Sequence, residues 1–286
     1  MTDLSKDVQE QVKEALSRQT ALNIYAGNSK AFIGFPVSGE PCCLAGHSGI
    51  LYYQPTELVL TARSGTPLSL IEQTLAENRQ MLAFEPPHFS SNATLGGVVS
   101  SALSGPRSVY VGTVRDFVLG VRLLNGAGEV VRFGGEVMKN VAGYDVSRLV
   151  VGALGTLGIL LDISLKVLPM PEREVTLTWR LDAEAAEQKR QQLARKPWPL
   201  SASHYQGGCF SIRLSGSHPG VTEAQAALGG TVTEDSLWQE LRERRPTQWQ
   251  AVAPVLPANV LALQRRVKDA MDSAGIFNPG RLFGDF

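Results

Sequence analysis

A chain of 286 residues with 43% hydrophobic and 19% charged side chains can bury a substantial core, which excludes a fibrous or disordered protein. Its 27 Lys and Arg balance 27 Asp and Glu, so no net field draws it to nucleic acid or anionic lipid, and a small neutral or acidic molecule is the expected ligand. No apolar run approaches the roughly 20 residues of a membrane span, and Met1 to Asp7 are too polar for a secretory signal, which together predict a cytoplasmic location.

Ser5 is the predicted N-cap of a first helix, because Val8, Val12, Ala15 and Leu16 recur at spacings that share one helical face. A short strand through Leu22 and Ile24 follows and ends in the loop Ala26-Gly27-Asn28-Ser29-Lys30. Glu57 to Ala62 is a second predicted strand. Thr66 then caps a helix with Pro67 at its first position and Leu68, Ile71 and Leu75 on its inner face. From Gly112 the period changes to two: Phe117, Leu119, Val121 and Leu123 alternate with other residues, Asn125-Gly126-Ala127-Gly128 turns, and Val130 to Phe133 returns as the second arm of a hairpin. Asp145 caps a helix through Val146, Leu149, Val150 and Leu154, which Gly155-Thr156-Leu157-Gly158 converts into a buried strand, Ile159 to Val167. Pro169-Met170-Pro171 closes the unit. Beyond it the pattern weakens to a helix (Asp182 to Arg195), a strand (Phe210 to Leu214) and a helix (Thr222 to Leu228), a small α/β appendage. An amphipathic helix, Leu261 to Ala274, then stops at Gly275.

The cysteines, Cys42, Cys43 and Cys209, are two adjacent and one distant, which is not the spacing of a zinc site or an iron–sulfur cluster, so no metal ligands are expected. The glycine segments of the first 160 residues are more informative. Ala26 to Lys30 leaves a strand with small and polar residues whose N–H groups can converge on a phosphate, although taken alone the spacing favours an ordinary turn. Thr94-Leu95-Gly96-Gly97 opens a run of small residues that suits either close helix-to-sheet packing or a flat ligand. Gly112-Thr113-Val114-Arg115-Asp116 sets a cation beside a carboxylate, which on its own is no more than a surface ion pair. Gly155 to Gly158 follows a helix and opens a strand, the reverse of a Rossmann fingerprint, which disfavours nicotinamide binding of that type. Four such segments together suggest an extended ligand with phosphates in its middle.

In order and spacing, Thr94-Leu95-Gly96-Gly97, Gly112 to Gly120, Lys139-Asn140-Val141-Ala142-Gly143-Tyr144-Asp145 and Gly155-Thr156-Leu157-Gly158 resemble the FAD-binding domain of the FAD-linked oxidases, and most specifically the glycolate oxidase E-subunit family. The resemblance runs from about Ile24 to Pro169 and resumes over Ala274 to Arg281. It implies an α+β fold, a two-subdomain FAD-binding domain of the vanillyl-alcohol oxidase type with a shortened α/β cap. The implied division is a FAD-binding domain over 1–171, a reduced cap over 172–260, and a C-terminal helix and flavin-side tail over 261–286.

The same resemblance implies the cofactor contacts. Gly27, Asn28, Ser29 and Lys30 would meet the pyrophosphate through backbone donors, and Thr94, Gly96 and Gly97 would lie along the cofactor. Thr113 and Asp116 would meet the flavin or ribityl region; Gly155, Gly158 and Ile159 the adenine half; and Asn278 would approach from the cap side. The first loop has no histidine, so the implied FAD is non-covalent. Family members that oxidise 2-hydroxy acids carry paired cap histidines in motifs of the type His-x-Gly-Asp-Gly-Asn and Glu-His-Gly. Neither occurs here, where the histidines are His47, His88, His204 and His218. No catalytic residue is therefore expected, since such an oxidation needs a placed base. The cap is also shorter than the family's, with a deletion-like join near Trp249 to Leu256.

These features imply an accessory subunit that holds FAD beside a catalytic flavin subunit and an iron–sulfur subunit of a glycolate oxidase complex, meeting the inner membrane only through those partners. Two alternatives stay open: a structural subunit that has lost FAD, and a stand-alone FAD-dependent 2-hydroxy-acid dehydrogenase.

Overall fold

The computed structural model describes residues 2–135, 144–245 and 256–284. Helix α1 (Ser5–Arg18) buries Val8, Val12 and Ala15, the stripe expected of it. Ser5 is not its cap. Asp3 Oδ1 accepts the Ser5 N–H at 2.9 Å, and the fully buried His47 accepts the Leu4 N–H through Nδ1 at 3.0 Å, so two side chains from before and beyond the helix satisfy its first donors. Strand β1 (Leu22–Tyr25) pairs in parallel with β2 (Glu40–Cys43). Parallel neighbours need a crossover, and residues 26–39 supply it without a helix, which leaves their backbone open on one side.

Next come β3 (Ile50–Gln54), β4 (Val59–Arg63), α2 (Leu68–Ala76), β5 (Gln80–Met81), α3 (Leu95–Ser101), the single turns α4 (Ser108–Val111) and α5 (Val114–Phe117), β6 (Val118–Leu124), β7 (Val130–Gly134), α6 (Val146–Leu149), β8 (Ile159–Lys166) and β9 (Leu168–Pro169). The long strands form an antiparallel sheet in the order β3-β4-β8-β6-β7, and β5 pairs with β9. On one face Leu68, Ile71 and Leu75 of α2 and Val98 and Val99 of α3 pack on Leu60, Val121, Ile163 and Leu165. On the other, Leu124, Ile159 and Leu161 meet α1, β1 and the returning Ile276 and Phe277. One strand serves both cores because β8 carries a bulge: Leu123 pairs with Leu160 and Arg122 with Asp162, so Leu161 is the extra residue and the strand changes face there.

Two predicted helices begin or end elsewhere. Thr66 does not cap α2; its hydroxyl accepts from Gly49 N–H at 2.9 Å, and Pro67 takes the cap position. The helix from Asp145 stops at Leu149 rather than Leu154, because Gly152 (φ 82°), Leu154 (φ 50°) and Gly155 (φ 75°) are left-handed and the chain turns to donate from Gly152 and Leu154 to carbonyls of α3.

The appendage holds more strands than the one expected. It comprises β10 (Arg173–Arg180), α7 (Ala183–Ala194), β11 (Leu200–Gln206), β12 (Cys209–Gly216), α8 (His218–Leu228), β13 (Thr231–Thr233) and α9 (Ser236–Glu243), followed by α10 (Ala258–Met271). Its antiparallel sheet has the order β11-β12-β10-β13. Phe210, Ile212 and Leu214 face α7 and α8, whereas Arg213 and Ser211 face the other way. Most of the join near Trp249 to Leu256 lies outside the described residues.

Helix α10 returns the chain to the first unit. Lys268, buried, donates through Nζ to Asp272 Oδ2 at 2.5 Å, Thr156 O at 2.8 Å and Phe277 O at 3.0 Å, while Asp272 accepts the Ile276 and Phe277 N–H groups. Removing one member of a buried ion pair strands the other. Asp272→Ala is therefore expected to lose about 3–5 kcal/mol of stability, read by denaturant melts; a loss below about 1 kcal/mol would contradict the described network.

Candidate functional site

A cleft of about 840 Å³ opens between the β1–β2 unit and the five-stranded sheet, within the size range of small-molecule sites. Its walls are the crossover loop from Ala26 to Val37, Ser64 after β4, the first turn of α3, the turn from Leu154 to Gly158, and Asn278 and Arg281 of the tail. Every candidate contact lines it except Thr113, Asp116 and Ile159. Thr113 and Asp116 instead close a capping box on α5, with Thr113 N–H and Oγ1 donating to Asp116 Oδ2 at 2.8 and 3.1 Å. Ile159 sits fully buried in the core beneath α1. Of the segment Lys139 to Asp145, residues 139–143 lie outside the described residues; Asp145 caps α6, accepting from Arg148 N–H at 3.0 Å.

Most of the glycines are required by the protein's own packing. A Cβ on Gly27 would lie 1.5 Å from Asn92 O, one on Gly96 would meet Ser64 Cβ at 2.8 Å, one on Gly155 the Asn278 Nδ2 at 2.8 Å, and one on Gly158 the Leu123 side chain at 3.0 Å. Gly97 differs: its Cβ would meet only Thr94 Oγ1, at 3.3 Å, and otherwise faces the cleft. The absence of side chains thus brings four backbone segments together around the cleft, and at Gly97 it keeps the cleft itself clear.

Asn278 belongs to the tail, where Phe277 bridges to Leu22, and its carboxamide is buried. Oδ1 accepts from Ile24 N–H at 2.6 Å, and Nδ2 donates to Leu154 O at 2.8 Å and Ile24 O at 3.2 Å. Arg281 braces the crossover loop from the same tail, donating to Phe35 O and Ala31 O, each at 3.1 Å. Ser100, within the small-residue run after Gly97, also lines the cleft, as do Ser64 and Tyr25, which no such run marked.

The donors are unevenly used. At the start of α3, Leu95, Gly96 and Gly97 N–H are all taken, by Thr66 O, Ser64 O and Thr94 Oγ1, so that helix end offers an anion little. Across the cleft, the N–H groups of Gly27, Asn28, Ser29 and Lys30 donate to no group among the described residues, with Asn28 left-handed (φ 54°), and Ser64 Oγ is buried with no partner. Burial pushes the Lys30 ammonium down to about 8, against a modest upward pull from Glu243. A run of open N–H donors beside a cation is a phosphate cradle, so the residues present fit a phosphate-bearing dinucleotide.

Residues 4–134 match the model of a family described as an FAD binding domain. By structure, the chain is similar to alkyldihydroxyacetonephosphate synthase, with a TM-score of 0.71 at 14% identity over 96% of this chain and 75% of that one. The fold is thus the two-subdomain FAD-binding fold of the vanillyl-alcohol oxidase type. By sequence, the chain is 48% identical to the glycolate oxidase subunit GlcE of Escherichia coli over 85% of its own length and 69% of that protein's. A 33% stretch is 42% identical to the glycolate oxidase subunit GlcD of Bacillus subtilis, of which it covers 20%. The chain belongs to the glycolate oxidase E-subunit family.

The two neighbouring glycines should separate packing from ligand contact. Gly96→Ala is expected to overpack Ser64 and lower stability by roughly 1–3 kcal/mol. Gly97→Val is expected to change stability by less than about 1 kcal/mol while weakening FAD binding, because its branches enter open cleft. Thermal melts and flavin titration read the pair, and equal melting losses in both would refute the distinction.

Proposed function

We propose that this chain is the FAD-holding accessory subunit of a glycolate-oxidising complex, in which a partner flavin subunit removes hydrogen from glycolate to give glyoxylate and an iron–sulfur subunit takes the electrons. The observation that carries this reading is the chemistry of the cleft wall: open donors for phosphates on one side, and no histidine or carboxylate among the described lining residues. Oxidising a 2-hydroxy acid needs a group to take the hydroxyl proton while hydride leaves carbon. The four histidines are engaged elsewhere. His47 is buried against α1, His88 pairs with Glu72 at 2.9 Å, His204 meets Gln206 on the outer sheet, and His218 opens α8.

When bound, the flavin supplies reversible two-electron and one-electron chemistry. The chain's residues hold and seal it. Gly27 to Lys30 would cradle the diphosphate through N–H groups, Ser64 would offer a hydroxyl to the cofactor's polar middle, and Gly97 and the 154–158 turn would let it lie flat against backbone. The described lining offers neither histidine nor cysteine for a flavin bond, which favours non-covalent FAD. Partner subunits are also what the relatives' printed names, subunits GlcE and GlcD of glycolate oxidase, suggest. No helix of the described residues is long and apolar enough to cross a membrane, in keeping with a membrane contact made only through partners.

Purified protein should carry a flavin absorption spectrum, and acid should release it as FAD. Glycolate added to the isolated subunit should leave the flavin oxidised, whereas glycolate added with the partner subunits should bleach it. A colourless folded preparation that takes up no FAD would replace this reading by the structural-subunit one, and rapid bleaching of the isolated chain would replace it by the stand-alone dehydrogenase.

A further inference from the structure

One titratable group in the cleft has no role in the fold. Lys30 lies in the first part of the crossover loop, is only 8% exposed, and lines the cleft. Among the described residues its ammonium has no carboxylate within ion-pair distance; its contacts are Ser29 Oγ at 3.2 Å and the ring of Phe89, 5.6 Å away. Burying an ammonium in this way is costly unless something of opposite charge joins it. Glu243 of α9 is the nearest candidate within the chain, and it is engaged: its two oxygens accept the N–H groups of His88 and Phe89 at 3.0 and 2.7 Å. The other charges nearby are cationic. Arg242 of α9 pairs with Glu72 at 2.5 Å, Arg245 lies over the Phe32 and Phe89 rings, and Arg281 of the tail holds the loop carbonyls. The missing counter-charge must then come from the ligand.

We propose that the Lys30 ammonium is the counter-ion of the bound dinucleotide's diphosphate, and that its deprotonation releases the cofactor as pH rises. This rests on the FAD-holding reading above and adds to it a specific charged contact and a pH limit. The sign follows from linkage. Burial sets the free site's ammonium at about 8, and an anion bound beside it stabilises the charged form and raises that value. Affinity is then level below about pH 8 and falls above it, by up to about tenfold per pH unit, because binding must now take up a proton. A guanidinium does not titrate in this range, so arginines near the site give no such slope.

The test is flavin and ADP titration of the cofactor-free protein between pH 7 and 9, for the native chain, Lys30→Met and Lys30→Arg, with riboflavin as the probe that lacks phosphate. At pH 7 Lys30→Met should bind FAD and ADP about 10- to 100-fold more weakly, the loss of one charge-assisted contact, with no slope to pH 9. Lys30→Arg should restore most of the affinity while abolishing the slope, since a guanidinium does not titrate there. Riboflavin should bind the native chain and Lys30→Met alike. Lys30→Met should also melt no lower than the native cofactor-free chain, because it removes an unpaired buried cation; this keeps the binding comparison free of misfolding. Unchanged FAD affinity in Lys30→Met, or an equal loss for riboflavin, would overturn the proposal while leaving the FAD-holding reading intact. Failure of the native chain to bind either FAD or ADP at any pH would instead overturn that reading and this contact with it.

Discussion

The Asn278 carboxamide joins three segments that are remote in sequence: the tail that carries it, the Ile24 peptide of β1, and the Leu154 carbonyl at the turn into β8. A buried amide can make these three bonds only if all three partners are in place, and each partner left alone would be an unsatisfied polar group in a dry interior. The carboxamide therefore holds the β1–β2 unit at a fixed separation from the large sheet, and that separation is the width of the cleft. The Lys268–Asp272 pair reinforces the same junction from behind, by tying Thr156 O and Phe277 O to the last turn of α10. The tail is thus part of the binding domain, although the chain reaches it only after the whole cap.

The cleft's other wall depends on one further step of the β4–β8 pairing. In the register that sets Arg63 opposite Asp162, Leu161 accepts Ser64 N–H at 2.8 Å, and Ser64 in turn accepts Gly96 N–H through its carbonyl at 2.7 Å. That chain of bonds sets α3 against the sheet at a distance only glycine allows at position 96. The N–H groups of the α3 start are consumed by this packing, whereas those of residues 27–30 are left open by a crossover that has no helix to use them. The side of the cleft that can bind phosphate thus follows from topology, as a consequence of joining two parallel strands by a bare loop.

How much of this was legible in the sequence varies with the kind of signal. Elements whose apolar residues repeat with a clear period were found: α1, α2, the β6–β7 hairpin, β8 and α10. Strands β10 and β11 were not. In β10, Val175, Thr176 and Leu177 are buried consecutively, since one face meets the cap helices and the other meets Trp238 and Asp235 through the Thr176 hydroxyl. In β11 the buried positions are Ser201 and Ala202, too small and polar to mark a strand. The glycine segments converge on the cleft, and of the two uses the sequence left open for the small-residue run, close packing accounts for Gly96 while Gly97 faces the open space. Ser64 and the isolated charge of Lys30 leave no trace in sequence, since both depend on what fails to pair once the chain has folded.

Several contacts fix the cap to this arrangement, including Arg242 of α9 with Glu72 of α2, and the loop over residues 85–89 takes part in them at both ends. Glu85, itself left-handed (φ 49°), meets Arg107 at the start of α4 and Arg213 of the outer sheet, and Arg107 also pairs with Glu174. Burial alone would raise the Glu174 carboxyl, but the Arg107 guanidinium holds it below its ordinary value. Four residues on, Phe89 (φ 58°) is held by Glu243, and its ring faces the Lys30 ammonium. Residues 85–89 therefore touch the cap sheet at one end and the phosphate side of the cleft at the other, with both non-glycine left-handed residues stabilised by cap side chains. Such a conformation persists only while those contacts last, so the shape of the cleft at Lys30 depends on the docked cap.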